Sequence, residues 1–303
     1  MAGSYLTALA ARVVAGAFSG LLRGMIAGYA RKITPPHLAG KALAVALAGT
    51  PVALSVGTPL GSLAGTWAGW RWTFTGLSVL AAVLVVWVVT AVPNVPGRQP
   101  ESRKTLLRVL GIPGLRPVLA VVFTWMLAHN ILYTYAAPFL AHTGVPGRVD
   151  TVLLVFGLAS LAGIYATGIL VGRALRSQVL TSLAGFAIAA LALGLAGDSP
   201  TVFYATTVLW GLAFGGAATQ LQTASADAAD TDTAQAMVTV VWNLAIFGGA
   251  ALGGALMTSA GAGAFPWVLL TLAALALVIV TAARRHAFPP GSRTVRHTTT
   301  SAC

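Results

Sequence analysis

Seven stretches of the chain, residues 42–70, 72–97, 117–147, 151–172, 177–197, 199–226 and 233–283, contain no Asp, Glu, Lys or Arg. The hydrocarbon interior of a bilayer is about 30 Å thick and takes about 20 apolar residues of helix to cross, so each stretch is long enough for a transmembrane helix. The last is too long for one, and the Ser259 to Gly263 stretch, two glycines and three small residues, is where it should fold back. The segment from about Ser4 to Ala30 is apolar apart from Arg12 and Arg23 and supplies a further span. The chain therefore reads as an all-α polytopic membrane protein with nine transmembrane helices. Only 8% of its residues are charged, against about 25% in soluble domains, which excludes an ordinary soluble enzyme.

The first span is not a signal peptide, because its two arginines lie in the middle and not in a basic leader ahead of a short apolar core. Residues 12 and 23 are eleven apart, close to three helical turns, so both guanidinium groups share a face with Tyr5 and Ser19, flanked by Gly16 and Gly20. A mid-membrane Arg costs about 2.5 to 3.5 kcal/mol on insertion scales and normally faces a bundle interior or a water-filled cavity. Arg12 is accordingly a functional candidate. Arg23 lies nearer the span's end, where its long side chain can reach the interface.

The net charge of +12 looks at first like a nucleic-acid signature, but such proteins present their bases on a polar, water-soluble face, and this chain has almost none. The cations report orientation instead. Arg31, Lys32 and Lys41 follow span one; Arg98, Arg103, Lys104, Arg108 and Arg116 sit in the longest connection; Arg173 and Arg176 follow span five; Arg284, Arg285, Arg293 and Arg296 follow span nine. These make 14 of the 18 Lys and Arg, while the opposite connections hold Arg71 and Arg148. The expected topology puts the long connection and the C-terminal tail in the cytoplasm of a protein of the plasma (inner) membrane. The acids Asp227, Asp230 and Asp232 lie on that same side, and acids contribute little to the rule.

Four parts are expected: residues 1–92 with three spans, a cytoplasmic linker over 93–116, a six-helix unit over 117–283, and a disordered basic tail over 284–303. The linker carries Pro93, Pro96, Pro100 and Pro113 among its five cations, a composition suited to the membrane surface. Gly57 to Gly61 of span two follows Gly16 by 41 residues, and Gly249 to Gly253 of span eight follows Gly211 by 38, each pair followed by aromatics. Spans one to three thus look like a weak repeat of spans seven to nine, a pattern transporters use, although small residues are common in membrane helices by chance.

The residues Arg12-Val13-Val14-Ala15-Gly16 resemble the Arg-x-x-x-Gly core of a helix-four motif. Gly57-Thr58-Pro59-Leu60-Gly61, with Gly69-Trp70-Arg71-Trp72-Thr73-Phe74 after it, resembles a helix-five antiporter motif and its external Gly-Trp-Arg-x-x-Phe turn. Asn243 with Gly248, Gly249, Gly253 and Gly254 is similar to an eleventh helix. All belong to the major facilitator superfamily, in particular its drug:proton antiporter and arabinose or sugar efflux permease-like group. The resemblance implies a twelve-helix fold met here from its fourth helix onward, lacking the first three. It implies alternating access between two halves and proton-driven efflux of a small drug-like or sugar-like solute. On it, Arg12 has a gating or proton-coupling role, and Gly57, Pro59 and Gly61 form the helix that seals the interior. The other reading is a truncated, non-transporting membrane protein, a gene fragment or an assembly partner.

Span four carries His129, Asn130 and Tyr133; His129 and Tyr133 are four apart and share a face. Span eight carries Trp242 and Asn243, and span seven Trp210, Gln220 and Gln222. Aromatic and amide side chains suit an organic solute whose ring stacks while its polar groups find partners, so His129, Asn130, Tyr133, Trp242 and Asn243 are the substrate-binding candidates. Interhelical packing would account for each of them singly. The six acids all fall in connections or at span ends, so no carboxylate is available in mid-membrane. No Walker loop, catalytic triad or metal-ligand spacing is present; no enzyme activity, cofactor or metal is expected. The expected partners are the lipid bilayer, a small-molecule substrate and protons as the coupling ion, with no nucleic acid.

Overall fold

A computed structural model describes residues 57–93, 106–229 and 232–289, together with 18, 29, 33–35, 49 and 53. Arg12 and Arg23 lie outside the described residues, as does most of the sequence assigned to the first two spans. The chain divides into two compact units, Met1–Arg103 and Lys104–Cys303.

In the first unit, α1 (Thr58–Trp67) has a proline in its first turn, where the missing N–H would have no intrahelical acceptor anyway. It ends at Ala68, and Gly69 takes φ +83° to turn the chain into α2 (Trp70–Ala91). A side chain at position 69 would be strained, which is why a glycine opens the Gly-Trp-Arg turn. Trp70 stands edge-on to Phe74 and Arg71 lies 5.2 Å from the Trp70 ring, an aromatic and cationic collar suited to a membrane interface. With 22 residues α2 reaches about 33 Å at 1.5 Å per residue, enough to cross the hydrocarbon, and none of its residues is buried.

The second unit begins with the short α3 (Leu106–Leu110), followed by α4 (Leu115–Thr134) and α5 (Ala136–Thr143). Helices α6 (Val149–Val171) and α7 (Ala174–Ala196) follow, continuous except for a kink at Ala174, whose φ −146° and ψ 49° are not helical. Next come α8 (Pro200–Gly215), α9 (Ala217–Ala228), α10 (Asp232–Ser259), a 3-10 turn at Ala262–Ala264 and α11 (Phe265–Ala282). Among the described residues seven helical stretches are long and apolar enough to span a membrane. They correspond to spans three to nine of the expected nine; the first two cannot be counted from the described residues. The fold-back of the last long run falls at the expected place, with Gly261 at φ +76°.

Helix α4 is the hub of this unit: thirteen of its 20 residues are buried, Trp125, Met126 and Ile131 completely. It packs on α10 through glycines. A Cβ at Gly249 would stand 2.7 Å from Asn130 Cβ and 3.1 Å from the Leu127 carbonyl, and the ring of Tyr135 lies against Gly253. Tyr135 also donates to the Ala250 carbonyl at 2.8 Å. Small residues let backbones approach where lipid gives no hydrophobic drive for association. Spare hydroxyls are absorbed locally: Thr124, Thr206, Thr207 and Thr271 donate to carbonyls one turn back at 2.8 to 2.9 Å, which removes an unsatisfied donor from an apolar medium.

One end of the unit is tied by a cation. Arg176, just past the kink, donates to the carbonyls of Val280 (2.9 Å), Phe288 (2.8 Å) and Thr281 (3.5 Å). The first and last of these belong to the C-terminal turn of α11, whose final carbonyls have no intrahelical donor and carry the negative end of the helix dipole. Beyond α11 the segment to Phe288 folds back, with Ala287 and Phe288 buried. Gly114, at φ +98°, lies against the His286 carbonyl so closely that no Cβ fits.

Candidate functional site

The α6–α8 seam sets the site. Gly211 and Gly215, one turn apart on α8, lie against the backbone of Phe156 and Ser160 on α6, while Gly163 of α6 lies against the Leu212 carbonyl. Backbones this close bring the side chains beside the seam, Trp210 and Phe214 from α8 and Phe156 from α6, to the face of α4 that carries Trp125, His129 and Tyr133 at successive turns.

His129 is buried at the centre of these rings. The Trp210 indole donates from Nε1 to His129 Nδ1 at 3.2 Å. Indole nitrogen is a donor only, so Nδ1 accepts and the imidazole is the neutral form with its proton on Nε2. Phe214 stacks on the imidazole with centroids 3.5 Å apart and planes within 5°. Tyr133, Trp210 and Phe156 surround it at 5.2, 5.5 and 5.6 Å, and Phe156 meets Trp210 at 4.2 Å. Trp125 forms a T-shaped pair with Phe214 at 6.1 Å and 89°; it is fully buried, and among the described residues its Nε1–H has no acceptor.

A second polar group of the same unit lies between α6, α7 and α9. Gln220, 1% exposed, donates from Nε2 to Ser182 Oγ at 3.0 Å and to Thr167 Oγ1 at 3.3 Å. It pins three helices beside the break at Gly216, where α8 gives way to α9.

Of the sequence candidates, the structure brings His129 and Tyr133 together. Asn130, one residue on and so turned by about 100°, faces α10 instead, its amide donating to the Met126 carbonyl at 2.8 Å. Trp242 of α10 is half-buried against the hydrophobic core, and Asn243 is exposed with its amide on the Thr239 carbonyl at 3.0 Å. Neither joins the ring cluster. In the first unit Gly61 has no neighbour within 4 Å among the described residues, and Gly57 meets only Ala53 Cβ at 3.9 Å. Phe156, Phe214 and Trp125 were not candidates. The repeat Trp125, His129, Tyr133 at four-residue intervals, and Trp210 with Phe214 at the same interval, is the signal that would have found the cluster. Among the described residues no group of three or more His, Cys, Asp or Glu could hold a metal ion.

Residues 1–244 match the family model described as Major Facilitator Superfamily. The chain is similar to the protein named purine ribonucleoside efflux pump NepI in Escherichia coli (strain K12), Shigella flexneri and Shigella dysenteriae serotype 1 (strain Sd197). In each case it is 29% identical over 288 residues, 93% of this chain and 72% of the relative. The family match covers most of the chain, and it agrees with the seven helical stretches among the described residues that are long and apolar enough to span a membrane. This multi-pass membrane protein belongs to the Major Facilitator Superfamily, whose members move solutes and do not transform them.

Proposed function

We propose that the chain is an efflux transporter that drives a small organic solute out of the cell by proton entry and alternating access. The solute has a planar ring and a polar, sugar-like portion, a purine ribonucleoside being the example supplied by the relatives' name. The observation that carries this reading is the His129 cluster: a hydrogen-bonded imidazole among four aromatic rings, in helices long enough to span a membrane and with no ionic partner beside it among the described residues. Purely structural packing would use aliphatic side chains here at lower cost, since a buried polar ring must be satisfied; a ring-bearing solute uses both its faces and its polar edges.

His129 and Tyr133 are the principal substrate residues, with Asn130, Trp242 and Asn243 as contacts in another stage of the cycle. Arg12 gates or couples the proton, and Gly57, Pro59 and Gly61 seal the first unit against leak. Residues 93–116 and 284–303 are the cytoplasmic linker and tail of a plasma-membrane protein; the exposed cations Arg108, Arg116, Arg284 and Arg285 support this. Everted membrane vesicles from cells making the chain test the proposal. Labelled inosine should accumulate when the vesicle interior is acidified, and a protonophore should abolish it. Accumulation no greater than in vesicles without the chain refutes it.

A further inference from the structure

The closest ring pair in the cluster is the stack of Phe214 on His129, with centroids 3.5 Å apart and planes within 5°. Two features set Phe214 apart from an ordinary core phenylalanine. The first is its place in the backbone: α8 stops one residue later, at Gly215, and α9 starts beyond Gly216 at Ala217. The glycine pair at 215–216 separates α8 from α9, so Phe214 is carried at the end of a half-helix and a modest change of backbone angle there moves its ring. The second is what borders it: Trp125, fully buried, meets Phe214 in a T-shaped pair, and among the described residues its Nε1–H has no acceptor. A phenyl ring offers an N–H donor at most its weakly accepting π face, and a buried donor without a full acceptor is costly.

We propose that Phe214 holds the place of the solute's ring. A planar heteroaromatic ring with a nitrogen or carbonyl acceptor on its edge displaces Phe214, stacks on His129 and accepts from Trp125 Nε1–H. The phenyl ring, swung away about Gly215–Gly216, leaves the imidazole face to the solute, while Trp210 keeps His129 oriented through its bond to Nδ1. Trp125 then selects rings that carry an acceptor over plain hydrocarbon rings. This rests on the reading of the chain as an exporter of a ring-bearing solute.

The test is equilibrium dialysis of tritiated inosine against the full chain in lipid nanodiscs. Phe214→Ala and Phe214→Leu are compared with Trp125→Phe and with wild type, all checked by thermal melting to be folded. Removing the internal competitor should tighten inosine binding about fivefold in both Phe214 variants, because the fraction of protein with the imidazole face open rises. Losing one neutral donor should weaken binding about fivefold in Trp125→Phe. Wild-type binding with unchanged affinity in both Phe214 variants, or in Trp125→Phe, overturns this proposal and leaves the transporter reading standing. Absence of inosine binding in wild type and in both Phe214 variants removes the solute class itself, and this proposal with it.

Discussion

Helices α2 and α4 are both long enough to cross a membrane, and they are opposites. None of the 22 residues of α2 is buried, and apart from Arg71, three threonines and a serine it is apolar. Thirteen of the 20 residues of α4 are buried, and this is the helix that carries Thr124, Trp125, His129, Asn130 and Tyr133. In a soluble protein the more apolar helix would be the inner one. Here the buried helix carries the polar ring cluster and the more apolar helix is the exposed one, because the surrounding solvent is lipid and a polar side chain in it is best served against protein.

The contrast can be broken most forcefully at the glycines. Gly215→Leu on α8 drives a side chain into the Ser160 carbonyl and should cost more than about 3 kcal/mol, enough to eliminate a folded peak in size-exclusion chromatography. Gly76→Leu on α2, where nothing lies within 4 Å, should change stability by no more than about 0.5 kcal/mol. Equal losses would mean that α2 is as tightly packed as the interior.

Next in size is His129→Leu. It leaves the buried Trp210 Nε1–H without its acceptor and should destabilise by about 1 to 3 kcal/mol in a thermal melt in nanodiscs, with transport of inosine falling at least tenfold. His129→Gln keeps an acceptor and should recover most of the stability but not the transport, since the stacking face is gone. Arg176→Leu strips donors from carbonyls at the end of α11 and should cost about 1 to 3 kcal/mol. Limited proteolysis should then cut after Arg284 or Arg285 sooner than in wild type. Smallest is a set of Val→Leu changes along α2, at Val85, Val88 and Val89, each within about 0.5 kcal/mol of wild type; a loss above 1 kcal/mol at any of them would identify a packed face.

Charge-free length makes α2, α4, α6, α7, α10 and α11 readable, since the bilayer asks only for about 20 apolar residues, and two glycines in five residues betray the turn at 259–263. Interruptions inside a span leave no such mark. The break at Tyr135 between α4 and α5 and the break at Gly216 between α8 and α9 occur in runs with no charge and a continuous apolar character. The ring cluster was half legible. His129 and Tyr133 follow from their spacing, but Phe156 and Phe214 come from two other helices, and one sequence does not say which faces of three apolar helices meet. Asn130 shows the same gap from the other side: it adjoins His129 in sequence and yet faces a different helix. The glycine pairs teach it again, since Gly57 with Gly61 and Gly211 with Gly215 are alike on paper, but among the described residues the first pair meets only Ala53 Cβ at 3.9 Å while the second lies hard against the backbone of α6.

The three carbonyls that hold Arg176 lie 104 to 112 residues further along the chain. At synthesis rates of about 5 to 20 residues per second, the arginine waits on the order of ten seconds for them. During that interval α6 and α7 are already made while α11 is not, and a guanidinium at the kink has to be served by water or lipid headgroups. The unit is thus fastened by a segment made well after the helix it ties down, so a fusion or tag joined ahead of Phe288 would leave α11 inserted but unfastened, whereas one joined after Pro289 would leave the fastening intact.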